Sequence, residues 1–140
     1  MGVYEGLLNI NGHITSNEIL NQTYDDDVTY DDLPVTVMLG AIDENGNVSA
    51  TMEIEGAPVT LYGTMEGNTI YFDTFTFYRT INLIVDITLD LEMDITAVLE
   101  DNTMTIEGTT SGTGKTMVAL STFKVDMTGT INGNLEKTDE

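Results

Sequence analysis

The sequence predicts an all-β fold, an antiparallel meander barrel of about eight to ten strands with little or no helix. Apolar and polar residues alternate along most of the chain, polar turn sequences separate the alternating runs, and 13 glycines accompany only two prolines. Side chains on a strand point to opposite faces in turn, so the alternation describes a sheet with one buried and one solvated face. We expect residues 1–140 to form one domain, because a chain of this length builds a single core.

The clearest alternation covers residues 81–100, where every odd position is apolar. This length of extended chain would reach roughly 66 Å, whereas a domain of this size spans only ~40 Å. A two-residue hairpin loop or a one-residue bulge would swap the buried parity, and here the parity is kept. We therefore predict one long strand that coils round a curved sheet, with an odd-length turn near residues 90–94 as the alternative.

The first quarter of the chain is the least regular part of the pattern. Residues 3–10 are predicted to form the first strand. Residues 13–24 leave two alternatives open: a short helix capped by Ser16, or a second strand that begins at Ile14. Residues 24–33 are predicted to form a loop, because Pro34 follows a segment that contains five aspartates. These are Asp25, Asp26, Asp27, Asp31 and Asp32.

Turn residues predict two hairpins in the middle of the chain. Asn45 and Gly46 lie in a short polar connection between alternating runs, which is a strong hairpin signal. Gly67 and Asn68 suit a two-residue primed turn, because both residues tolerate positive φ. The predicted strands are residues 35–42, 48–55, 59–66 and 69–77, with turns at 43–47, 56–58 and 67–68.

The last third is predicted to contain two more strands. A turn at residues 101–102 leads into a strand at 103–108, whose Met104 and Ile106 point inward. Residues 109–114 are predicted to form a flexible turn, because they consist of small and polar residues with two glycines. Residues 116–131 alternate again and are predicted to form one strand.

The charge balance excludes several classes of partner. The chain carries 24 acidic residues against four basic ones, a net charge of −20. Such a surface repels nucleic acid and anionic lipid, so neither is expected to bind. No stretch approaches the ~18 apolar residues of a membrane span, and no membrane insertion is expected. The absence of cysteine excludes disulfides and thiolate metal sites.

Three stretches imitate functional motifs without meeting their requirements. Residues 112–116 look like a phosphate loop, but the first glycine is misplaced and a strand is predicted to follow instead of a helix. The aspartates of residues 25–32 could surround calcium, yet they lack the order of an EF-hand, as do residues 43–54. His13 is the only histidine, which excludes a metal site built on several histidines of one chain. We predict no catalytic residues, metal ligands or cofactor, and keep calcium as a candidate partner.

Several features together resemble a known superfamily. They are the opening residues 2–8 (Gly-Val-Tyr-Glu-Gly-Leu-Leu), the Gly-Thr turns at strand ends, and residues 122–125 (Thr-Phe-Lys-Val), which lead into 127–129 (Met-Thr-Gly). In these features the chain resembles the calycins, which include lipocalins and fatty-acid-binding proteins. It is most similar to the calycin-like barrel domains of bacterial envelope proteins. The similarity covers nearly the whole chain in strand order.

The resemblance implies a closed or nearly closed barrel on an exported protein that is periplasmic, at the cell surface or secreted. Its signal peptide would lie outside this sequence. Lipocalins carry a Gly-x-Trp near the first strand, whereas this chain has no tryptophan. No ligand-binding residues are therefore carried over from that family.

The function predicted first is that of a non-enzymatic exported barrel, which binds a small apolar molecule inside or a partner at its rim. The alternative is a structural or interaction module with a filled barrel, which calcium could stabilise. A third interpretation is an enzyme that uses carboxylates at the barrel mouth, and a carboxylate with a raised pKa in a cleft would indicate it. Methionines at apolar strand positions either fill the core or line a cavity. Most of the eight lie there: Met38, Met52, Met65, Met93, Met104, Met117 and Met127.

Overall fold

The computed structural model describes residues 2–138, which form nine β-strands and no helix. The strands are β1 (Gly2–Ser16), β2 (Asp25–Ile42), β3 (Asn47–Ile54), β4 (Ala57–Glu66), β5 (Thr69–Phe72), β6 (Phe75–Asn82), β7 (Asp86–Glu100), β8 (Thr103–Val118) and β9 (Ser121–Lys137). Within this part of the chain, no helix has the length and hydropathy needed to cross a membrane.

All pairings between the strands are antiparallel, and the sheet closes on itself. The order is β5-β4-β3-β2-β1-β9-β8-β7-β6, and β5 also pairs with β7. β5 and β6 are successive segments along one side of β7, because Tyr71 pairs with Thr96 and Phe75 with Met93. The ring therefore has eight positions around its circumference, as in a barrel. The predicted all-β antiparallel meander is confirmed.

The chain turns back in the long alternating run at residues 83–85. β6 ends at Asn82, which pairs with Asp86 at the start of β7. A three-residue loop joins residues i and i+4, so the odd positions stay on the buried face on both sides of it. The prediction of one long strand is wrong. An odd-length turn is present, but it lies at 83–85 and not at 90–94.

The Asn-Gly hairpin is confirmed, and a carboxylate organises its turn. Asp43 Oδ1 accepts hydrogen bonds from the backbone N–H groups of Asn45 and Asn47, both at 2.8 Å. Gly46 has φ of +85°, a conformation that glycine adopts without steric cost. Hydrogen bonds from the backbone and side chain of Asn47, with the backbone of Asn45, hold the pKa of Asp43 below its usual range.

The other predicted turns are partly confirmed. Gly67 and Asn68 connect β4 to β5, because Glu66 pairs with Thr69 on either side of them. The turn predicted at residues 56–58 instead lies at residues 55–56, since Ile54 already pairs with Ala57.

The N-terminal segment is more extended than predicted. β1 continues to Ser16, so residues 13–24 contain neither a helix nor a strand that starts at Ile14. β2 starts at Asp25, and the loop predicted for residues 24–33 is wrong. This part of β2 pairs with β1 and leaves all five aspartates exposed. Strand pairing thus overrides the weak strand propensity of aspartate.

The turn near the C-terminus is also displaced. β8 runs straight through residues 109–114, and the chain reverses at Ala119 and Leu120 instead. Both residues have positive φ, 49° and 67°. This conformation costs a non-glycine residue about 1–2 kcal/mol, so it is usually adopted by glycine or asparagine. Neither residue is present at this turn, and the sequence therefore does not predict it. Because the chain reverses at residues 119–120, the prediction of one strand over residues 116–131 is wrong.

Candidate functional site

The interior of the ring is filled with its own side chains. A side chain beside a cavity large enough for water would keep some accessible area, and nine inward-facing side chains keep none. These are Ile10, Ile70, Leu89, Leu91, Ala97, Met104, Phe123, Val125 and Leu135. Met52, Met93, Met104 and Met127 are buried core residues, whereas Met38 and Met117 are exposed. These inward positions therefore hold no cavity for a ligand.

The wall of the ring has an opening between β4 and β6. β4 pairs with β5 only over residues 63–66, and the last contact on this edge is the hydrogen bond from Asp73 N–H to Tyr62 O at 2.7 Å. Beyond it, residues 57–61 of β4 pair only with β3, and residues 75–79 of β6 pair only with β7. Two strand edges thus face each other without a shared hydrogen-bond ladder. We call the space between them the slot.

The slot contains a cleft of about 270 Å³ with an apolar lining. Val59, Phe75 and Phe77 are inward-facing residues at this opening, and they are only partly buried. The other lining residues are Ile54, Ala57, Pro58, Thr76 and Tyr78. Pockets for drug-sized ligands measure about 300–1,000 Å³. The cleft therefore suits a small apolar group or one or two side chains.

Carboxylates lie on the outer face of the sheet, on the strand next to each edge of the slot. On one side, Glu53 pairs with Pro58 of β4. On the other side, Glu92 pairs with Thr76 and Asp90 with Tyr78 of β6. The opening therefore combines an apolar floor with a negatively charged border.

One cation lies at the far end of the slot. Arg79 of β6 forms an ion pair with Glu55 in the turn between β3 and β4. Its guanidinium carbon also lies 4.6 Å from the centre of the Tyr30 ring on β2, a distance typical of a cation–π contact. Burial raises the pKa of Tyr30, and the positive charge of Arg79 opposes part of that rise. The slot is thus bounded by Asp73 at one end and by the Arg79–Glu55 pair at the other.

Two aspartates of the acidic segment contact the single histidine. Nδ1 of His13 lies 2.8 Å from Asp27 Oδ1, and Nε2 contacts Asp25. When the imidazole is protonated, both ring nitrogens donate to carboxylates. Asp27 first, and then Asp25, therefore raises the pKa of His13.

The structure does not gather the remaining aspartates into a cation site. Asp31 and Asp32 lie further along β2, and in residues 2–138 no three His, Cys, Asp or Glu side chains form a group that could hold a metal ion. Calcium binding stays a prediction. Residues 112–116, which imitate a phosphate loop, lie within β8.

We expect stability to fall as His13 loses its proton. Because the folded-state pKa is raised above 6.5, the stabilisation is complete below that pH and is lost as the pH rises through the higher folded value. The measurement is thermal melting between about pH 5.5 and 8.5 for the parent protein and His13→Gln. The difference in Tm should be largest at low pH and shrink at high pH. An NMR titration of this single histidine with a pKa at or below 6.5 would contradict the assignment.

The slot was not predicted from the sequence. It arises because the pairing between β4 and β5 ends at Gly63, and the interruption at residues 73–74 then leads the chain into β6, which pairs with β7 and not with β4. The one local signal is the second arm of the hairpin after Gly67, where Phe75 and Phe77 place apolar groups beside an interruption at Asp73 and Thr74.

Comparison with known proteins adds no family assignment. The sequence matches no protein-family model, and no curated protein shows significant similarity to it.

Proposed function

We propose that this protein is a non-enzymatic binding module that holds a small apolar group in the slot between β4 and β6. The observation that carries the proposal is the set of partly exposed side chains Val59, Phe75 and Phe77 at an opening between two unpaired strand edges of the wall. Because the interior is filled, we expect a ligand to bind at the wall of the ring and not inside it. The apolar group belongs either to a small molecule or to a partner protein.

The filled interior also supports a second candidate, a structural or interaction module that needs no internal ligand. We further propose that the domain is an exported, calycin-like barrel. What supports this is the resemblance in residues 2–8 and 122–129, together with the meander order of the strands. Calcium as a stabilising partner is tested by melting with and without millimolar calcium, against a control of equal ionic strength.

Binding in the slot can be tested with an apolar fluorescent probe. We expect the parent protein to bind the probe one-to-one, and Val59→Asp to weaken binding tenfold or more, because the new carboxylate must be desolvated when the cleft is filled. Met117→Asp is the matched control, since it places the same charge on an exposed apolar residue of β8 away from the slot.

Circular dichroism and Tm establish that both variants are folded. Absence of saturable binding to the parent protein would overturn the proposal. Equal loss of binding in both variants would also overturn it, because the probe would then report general charge and not the slot.

A further inference from the structure

The free strand edges at the slot indicate the chemistry of its partner. A strand edge presents backbone N–H and C=O groups that can pair with another extended chain. β6 is the more complete of the two edges, because β4 carries Pro58, which has no N–H. Both edges also flank the apolar cleft. An extended peptide beside β6 would therefore find hydrogen-bonding groups and apolar contacts together.

The outer border defines the other face of such a peptide. Side chains of an added strand would alternate between the cleft and solvent. Those on the solvent side would lie between Glu53 of β3 and Asp90 and Glu92 of β7, each two strand spacings or about 10 Å away, a separation that a long side chain can bridge. Lysine or arginine at these positions would be attracted to the border, and acidic residues would be repelled.

The same charges argue against a second copy of this chain as the occupant. Each copy carries a net charge of −20, and two copies would repel each other. Pro58 and the inward-facing Arg79 also shorten the available edge, and both features are known to limit edge-to-edge association of sheets. The edge therefore disfavours pairing with a second copy of this chain and favours pairing with a short basic strand.

We propose that the slot binds an extended peptide segment in which apolar residues alternate with lysine or arginine, and that this segment pairs with the free edge of β6. The proposal rests on the function proposed above and specifies the partner for the same site. Residues 75–79 supply the backbone partners, Val59, Phe75 and Phe77 contact the apolar side chains, and the acidic border contacts the basic ones. A segment longer than the slot displaces the Arg79–Glu55 ion pair.

The test uses capped synthetic peptides of about seven residues and the full chain. A peptide that alternates valine and lysine is expected to bind, and salt should weaken it. N-methylation of the peptide amides that face β6 should reduce affinity tenfold or more, because strand pairing needs these donors. A peptide of the same composition whose valines are contiguous should show a similar loss of affinity. Hydrogen exchange of β6 amides should slow when the first peptide is bound.

Variants of the chain separate the slot from the general charge of the protein. Glu92→Lys should weaken the alternating peptide several-fold, whereas Glu107→Lys makes the same charge change at an exposed position of β8 away from the slot and should weaken it less. Equal effects of the two substitutions would overturn the proposal, as would equal binding of the N-methylated or the contiguous peptide. If the apolar probe binds and the alternating peptide does not, strand pairing is wrong and the apolar site stands. If neither binds, both proposals fail.

Discussion

Phe123→Ala is expected to lower the free energy of unfolding by about 3–5 kcal/mol, the usual cost of removing a buried phenylalanine ring. The Phe123 side chain has no accessible surface, and its ring centre lies 6.0 Å from that of Tyr24. The strand that carries it is paired with β8 and β1 on its two sides, so the wall cannot easily collapse into the space left by the ring. Urea unfolding followed by circular dichroism measures the change.

Two control variants give this result its meaning. Phe123→Leu keeps most of the apolar volume and should cost less than half as much. Met117→Ala removes an exposed side chain and should change stability by no more than about 0.5 kcal/mol. A cost below about 1 kcal/mol for Phe123→Ala, with an unchanged m-value, would contradict a tightly filled interior. Benzene should partly restore the stability of Phe123→Ala, because an apolar cavity of that size binds it.

The parts of the fold that could be predicted are those with a local signal. The alternation of residues 81–100 identifies the buried face correctly, because side-chain direction on a strand depends only on parity. Gly46 and Gly67 mark real turns because both adopt a positive φ, which glycine favours. Residues with a strong conformational preference thus give reliable positions.

The parts that could not be predicted depend on partners far along the chain. The turn at residues 83–85 consists of Leu, Ile and Val, and the turn at Ala119 and Leu120 contains no residue that favours positive φ. Conversely, the aspartates of β2 and the glycines of β8 look like loop residues, yet pairing with β1 and β7 keeps both segments extended. Non-local strand pairing overrides local preference in all four places.

The slot also depends on non-local strand pairing and not on a local sequence signal. It is a consequence of where the pairing of β4 ends, since β4 pairs with β5 only over residues 63–66 and β6 pairs with β7. The sequence shows Phe75 and Phe77 as apolar groups, but only the end of the pairing between β4 and β5 leaves them beside an unpaired edge. A site built from missing pairing has no motif of its own.

Gly112→Ala is expected to destabilise the protein by about 1–3 kcal/mol or more, although it adds only one methyl group. A Cβ atom at this position would lie 2.0 Å from the backbone oxygen of Asp90 on β7, a distance that no relaxation of side chains can relieve. Gly112 pairs with Leu91 on one side and Met127 on the other, so the clash lies within the hydrogen-bonded wall. The glycine allows close approach of β8 and β7, which a curved sheet requires.

The direction of the stability change on Gly112→Ala distinguishes a crowded glycine from one with free space around it. Where a glycine has room, replacement by alanine usually stabilises a protein by about 0.4–1 kcal/mol, because it restricts the unfolded chain. Ser111→Ala, at the exposed neighbouring position of β8, should stay within about 0.5 kcal/mol. Urea unfolding of both variants measures the difference. Stabilisation by Gly112→Ala would mean that β7 and β8 do not approach each other as closely as the ring requires. It would then favour the flexible turn predicted for residues 109–114.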